Sequence, residues 1–413
     1  MNAAPARTAV RDGALGVLGD GTLGSVDERG RVSRPGTTLD WWVGAHDRWH
    51  LPSDEASTRR RRLGAAPVWE TTVRVPRGEV AQRAYGVAIA DGSVVAVDVE
   101  NRSPVPLTVG LVARFERGRV DVDGVEVRVD GEPVLACSSV PRRWATGAST
   151  AAEVMGGDAR SGPVEPFDAP GELALLFPVP HRTSVRVALG AVSRVNVREL
   201  PDADAVARGW DVQLERGLQA ELPPPVGETV DAARADVLLA PVDAAGVVAL
   251  EDWGFDDEAA AGWAQLGLRA RRRARRRAAA GEPWAALRAV DAEREPARFL
   301  SAVRDVLVRE DGARVELLPG FSPDWLGQPL TVSAVPLRTG ALSFAVRWHG
   351  ARPALLWEAP DGVELRTPAL DPAWSTSERA GETLLAEPPR PLLSLATGDR
   401  PPGESVDAPG QFS

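Results

Sequence analysis

The sequence predicts a multidomain α+β protein: a large antiparallel β-sandwich, a short helical middle domain and a small C-terminal β domain. Three observations predict it. Short runs of β-branched residues separated by turn pairs fill the first half of the chain. A block rich in Ala, Arg, Leu and Glu follows the proline-rich string ELPPPVGE at 221–228, and strand-like alternation returns after Asp311-Gly312.

In the first half the clearest element is RVDVDGVEVRV. Val120 and Val122 alternate with polar residues, Asp123-Gly124 offers a positive-φ turn, and Val125, Val127 and Val129 alternate back, which predicts a hairpin with one buried face. Similar runs lie at 93–99, 106–115, 173–179 and 184–192, each bounded by Gly, Pro, Asn or Asp. Strands at such short spacing, with no helical periodicity between them, predict a sandwich over 1–220. Residues 221–228 read as a linker. The block 229–310 reads as about four helices, since VDAARADVLLA and ARFLSAVRDVLV repeat apolar residues every three or four positions. Breaks are expected near Pro241, Gly254, Gly281-Glu282-Pro283 and Pro296. The strings RVELLPG, LTVSAVPL, LSFAVRWHG, PALLWEA and VELRT predict the second β domain over 311–387. The tail 388–413, rich in Pro, Gly and acidic residues, reads as disordered.

Composition narrows the function classes. A formal charge of −10 disfavours nucleic acid and acidic membranes as partners. Cys137 is the single cysteine, so an internal disulfide or a Cys-based zinc site is excluded. The opening stretch has no continuous apolar segment and no later run approaches the length of a membrane span, so a cytoplasmic protein is expected. No cofactor or metal is expected. The spacing of GDGTLG at 19–24 is wrong for a dinucleotide fingerprint, and no P-loop or Gly-x-Ser-x-Gly elbow occurs.

Two strings concentrate candidate chemistry. TTLDWWVGAHDRWH at 37–50 gathers Trp41, Trp42 and Trp49 with Asp40, Asp47, His46 and His50. Indole faces stack on sugars while acidic and imidazole groups bond hydroxyls, which makes Trp41, Trp42, Asp47 and Trp49 candidate carbohydrate-binding residues. Packing is the competing and preferred reading. Strand alternation puts Trp41 and Trp42 on opposite faces, so at most one of them lines a groove. His46 and His50 stand four apart, but Gly44 and the strand-like residues before it argue against a helix that would aim both at a metal. The second string, ALEDWGFDDEAAAGW at 249–263, holds Glu251, Asp252 and Asp256 as candidate catalytic carboxylates and Trp253 as a stacking residue. Asp252 and Asp256 would share one face of a continuous helix, although Gly254 stands between them. The competing and preferred reading is that Asp256, Asp257 and Glu258 open a helix whose N-terminus attracts acidic groups. The run RARRRARRR at 269–277 is set against the preceding acids, the block 228–310 having a net charge of −2, and intramolecular pairing is preferred over polyanion binding.

Several strings resemble the six-hairpin glycosidase superfamily, the glucoamylase- and trehalase-like enzymes, whose bacterial members often begin with a β-sandwich. LGVLGDGTLGSVDERGRVS at 15–33 is similar to the first hairpin of such sandwiches. FLSAVRDVLVREDGARVELLPGFSPDWLG at 299–327, with Leu317, Leu318, Pro319, Pro323 and Trp325, resembles their passage from the last barrel helix into the C-terminal β domain, and LSFAVRWHGARPALLWE at 342–358 resembles the hairpin that follows. The resemblance implies a glycoside hydrolase or a carbohydrate-binding relative of one. A complete barrel needs about twelve helices, and roughly 80 residues cannot supply them at about 15 residues per helix and connection, so the helical domain is expected to be strongly reduced. No catalytic motif of the superfamily can be carried onto this chain. A non-catalytic scaffold or carbohydrate-binding protein is the alternative expectation, and a polyanion-binding adaptor the least favoured one.

Overall fold

The computed structural model describes residues 13–147, 150–190, 192, 195–240, 242–274 and 283–389, the side chains of 268 and 271–274 excepted. The chain is an α+β protein of four mostly antiparallel sheets and seven helices among these residues.

Two large sheets form the sandwich. One orders its strands 14–17, 21–26, 32–34, 37–44, 107–115, 171–179 and 143–147, with 49–50 paired to 37–44; the other runs from 167–168 through 119–123, 126–129, 132–137, 184–190, 92–101, 78–89 and 69–75 to 59–62. Leu39, Trp41 and Val43 point inward with Val95, Val97 and Val99 of the facing sheet. The predicted 119–129 hairpin forms with its turn one residue later than expected. Asp123 pairs with Glu126, so Gly124 (φ +60°) and Val125 make the turn and Val125 is exposed. The cause is that the glycine must take a loop position with φ > 0, which leaves Asp123 free to stay in the strand.

Helix α1 (Thr150–Gly156) covers part of the first sheet's outer face, where Val154 meets Trp42, Val112, Ala174 and Leu176. The second sheet's outer face is covered by α2 (Ala203–Leu214), started by Asp202, whose carboxylate accepts the Ala205 N–H at 2.7 Å. Residues 203–214 are therefore helix, and the sandwich's last strand ends at Gly190. Residues 219–221, read as the sandwich–linker junction, instead add an edge strand to a C-terminal sheet by pairing with 331–333. The linker is short, because α3 (Val226–Leu239) already begins within 221–228.

Four further helices follow: α4 (Ala244–Asp252), α5 (Asp256–Ala274), α6 (Pro283–Arg288) and α7 (Pro296–Leu307). With α3 they make five among the described residues between 226 and 307, where about four were expected, and the expected break at Gly254 (φ +76°) separates α4 from α5. Pro296 opens α7 at a position where no backbone N–H is needed. The C-terminal β region contains the sheet 219–221, 330–337, 340–349, 352–358, 380–384 and a smaller sheet in which 314–317 and 364–367 run parallel. The helices share one apolar core with both neighbours. Tyr85, Val87 and Val94 of the sandwich's outer face, Leu239, Trp253 and Leu300 of the helical layer, and Leu317, Val332 and Leu355 of the C-terminal sheets belong to one buried cluster. The expected tail beyond 389 lies outside the described residues.

Candidate functional site

The acidic string 249–258 straddles the α4–α5 junction. A helix that stops at Asp252 and a new one that starts at Asp256 have different axes, so Asp252 and Asp256 are not four apart on one helix. What the junction does bring together is Glu251 and Asp256. Both line an open cleft of about 540 Å³ whose other walls are Ala259, Ala260, Trp263, Ala264 and Gly267. Ala259, Ala260, Ala264 and the buried Trp263 make the lining mostly apolar, and Glu251 and Asp256 are its two acidic residues.

The other candidates of this string lie elsewhere. Trp253 is fully buried, its Nε1–H donates to the Leu300 carbonyl at 3.0 Å, and the Arg234 guanidinium lies 5.6 Å from its ring centroid. It is a packing residue and offers no face to a sugar, a correction that follows from α7 closing over the end of α4. Asp252 is not part of the cleft lining; it feels Arg304 and Asp305 of α7. Burial pushes its carboxyl up to about 6, the Arg304 charge opposes this, and the Asp305 and Glu251 charges add to it. Burial likewise raises Asp305 and lowers Arg304, whose Nη1 donates to the Val308 carbonyl at 2.6 Å. Asp257 and Glu258 are held by Arg216 at 3.2 and 2.9 Å. Asp256, Asp257 and Glu258 occupy the first turn of α5, where the helix N-terminus favours acidic groups, and Gly267 (φ +78°) breaks the helix before the arginine run begins. Arg275 to Arg277 lie outside the described residues.

The string 37–50 folds as one long strand and a return. Trp41 is buried inside the sandwich, with its Nε1–H donating to the Arg29 carbonyl at 3.1 Å, and Trp42 is buried on the opposite face beneath α1, so neither lines a groove. Asp40 is buried between Arg31 and Arg114, at 2.7 and 3.0 Å. Trp49 is only half-buried. Its six-membered ring lies over Gly44, where an added Cβ would meet three ring carbons at 3.1–3.2 Å, and reaches Gly110 on the neighbouring strand. His50 is buried, with Nε2 3.1 Å from Asp47 Oδ1 and Nδ1 3.1 Å from Glu55 Oε1. Arg48 Nη1 donates to the same Glu55 oxygen at 2.5 Å. His46 is exposed, and both nitrogens of His50 are engaged by carboxylates, so the pair does not form a metal site. Among the described residues no group of three or more His, Cys, Asp and Glu could hold a metal ion.

Sequence reasoning did not single out Glu55, Arg48 or Trp263. Glu55 follows His50 through an irregular turn, where no spacing rule predicts contact. Trp263 was legible only as the end of the acidic string. Cys137 is buried, and burial pushes its thiol up to about 12, which leaves it inert packing.

No family model matches the chain, and no curated protein matches it. Among solved structures, a bacterial glucoamylase complexed with acarbose is similar with a TM-score of 0.43 and 7% identity, over 63% of this chain and 50% of that one. The match thus spans half the length of that glucoamylase.

Proposed function

We propose that this protein binds a neutral carbohydrate in the cleft between α4 and α5. The observation that carries the reading is the pairing of two carboxylates, Glu251 and Asp256, with a mostly apolar lining of alanines and Trp263 in a cleft of about 540 Å³. Sugars present hydroxyls around their edge and C–H groups on their faces, and such a cleft offers acceptors for the first and contact for the second. Its size is that of a small-ligand site, which is about 300–1,000 Å³ in general. The sequence resemblance to six-hairpin glycosidases at both ends of the chain supports the same ligand class.

Hydrolysis of a glycosidic bond is the second reading, and Asp252 favours it. A carboxyl held near 6 beside the ionisable Glu251 is the type of group that donates a proton to a leaving oxygen. Binding without turnover is preferred, because Asp252 faces the α7 charges while Glu251 and Asp256 face the cleft.

Isothermal titration with maltose, cellobiose and xylobiose, paired with a reducing-sugar assay on the matching oligosaccharides, separates the readings. Binding of one disaccharide, weakened tenfold or more by Glu251→Gln and Asp256→Asn with no release of reducing ends, is the expected result. Release abolished by Asp252→Asn would establish the enzyme. No heat from any of the sugars would sink the carbohydrate reading of this cleft.

A further inference from the structure

We infer that the outer face of the sandwich carries a second carbohydrate-docking platform, made by the indole of Trp49 and rimmed by Asp47 and Arg48. The inference rests on the reading that this protein takes sugars, but not on the α4–α5 cleft. Trp49 belongs to the two-residue strand 49–50 that folds back on 37–44, with Gly44 paired to Trp49 itself. Because Gly44 and Gly110 lack side chains, the indole can lie down on the sheet; a Cβ at Gly44 would stand 3.1 Å from two ring carbons. The ring is supported from below in this way and the residue is still partly exposed, which suits an indole that meets the apolar face of a sugar.

The rim supplies the polar half of the recognition. Asp47 and Arg48 have 39% and 57% exposed side chains. Asp47 uses Oδ1 on His50 and its carboxylate also accepts backbone N–H groups of its own turn, while its exposure keeps carboxylate acceptor sites open to solvent. Arg48 uses Nη1 on Glu55 and on the Trp49 carbonyl, and its Nη2 is left as a donor. His50 holds both rim residues in place, Asp47 through Nε2 and Arg48 through the Glu55 oxygen that Nδ1 shares with it. A rim fixed before binding loses little freedom when a ligand arrives. The charges decide the ligand type. Asp47, Glu55 and Arg48 together carry one net negative charge, so a neutral sugar is accepted and an anionic one is not favoured.

Affinity electrophoresis in gels containing soluble starch, xylan or hydroxyethylcellulose tests the platform with wild type, Trp49→Ala, the double variant Asp47→Ala/Arg48→Ala, and Glu251→Gln. One polysaccharide should retard the wild type, and the apparent dissociation constant should rise at least tenfold in Trp49→Ala and in the double variant, whatever the effect of Glu251→Gln. Melting curves identify any variant that fails to fold, and the double variant, which keeps the indole, then decides alone. Retardation unchanged in Trp49→Ala would overturn the platform, and retardation unchanged in the double variant would overturn the rim. If retardation is lost in Glu251→Gln and kept in Trp49→Ala, the platform fails while the cleft reading stands. A wild type that no polysaccharide retards overturns the platform, and the disaccharide titration still decides the cleft.

Discussion

Trp49 and Trp253 sit in similar strings, each an indole next to acidic residues, yet they have opposite fates. Trp253 ends a helix that another helix, α7, packs across, so its ring is enclosed and its N–H is used up by Leu300. Trp49 lies on the outer face of a sheet where α1, seven residues long, is the covering helix, and its ring remains half-buried over two glycines. The acids divide in the same way. Asp252 is taken out of water and its carboxyl is raised, whereas burial opposes but the His50 hydrogen bond and nearby backbone N–H groups outweigh it at Asp47, and the Arg48 hydrogen bond lowers Glu55. What lies over an element, more than the string itself, decides whether an aromatic–acid pair is packing or surface chemistry.

The largest expected contrast is in stability. Trp253→Ala should cost about 3–5 kcal/mol, by loss of buried area and an enclosed hydrogen bond, whereas Trp49→Ala should cost about 1 kcal/mol. Urea denaturation of both variants checks this, and equal costs would break the comparison. Next in size is Asp252→Asn. The folded carboxyl titrates near 6 and its ordinary value is 3.8, so the native state binds the proton more tightly and wild-type stability falls as pH rises from about 4 through 6. The asparagine variant should lack that fall and be more stable by up to about 3 kcal/mol at pH 7 and level with wild type below pH 4, read from denaturation midpoints across that range.

Glu55→Gln should act with the opposite sign. A lowered carboxyl contributes stability above its ordinary value of 4.5 and loses it as pH falls through the folded value. The variant should therefore be weaker by about 0.5–1 kcal/mol at pH 6 and indistinguishable from wild type in strong acid, with faster amide exchange over residues 45–58 at pH 6. The smallest effect belongs to Arg216→Ala, whose partners at the exposed start of α5 make it worth about 0.5 kcal/mol or less; a larger loss would mean that the first turn of α5 depends on that arginine.

Period-two alternation was enough to place Trp41 and Trp42 on opposite faces, because side-chain direction in a strand is a local property. It could not show that Trp42 would be covered by α1, since covering is a property of the neighbouring layer. Gly254 announced a break, and its positive φ delivers one, which removed the helical spacing of Asp252 and Asp256 while bringing Glu251 and Asp256 to one cleft. The 119–129 hairpin was legible to within one residue of its turn. The pairing of 219–221 with 331–333 was not legible at all. A three-residue strand carries too few side chains to name a partner more than 100 residues away.

That pairing also sets a timetable for the ribosome. The sandwich has all its strands once residue 190 has emerged, but the sheet that receives 219–221 needs the chain to reach 337. At synthesis rates of about 5–20 residues per second the interval is about 7–30 s. Within it α2 has emerged by residue 214 and can cover the second sheet's outer face, but the part of the shared core that Leu317 and Val332 complete stays open until the C-terminal sheets arrive, and a holdase or a pause in translation would have most to offer there.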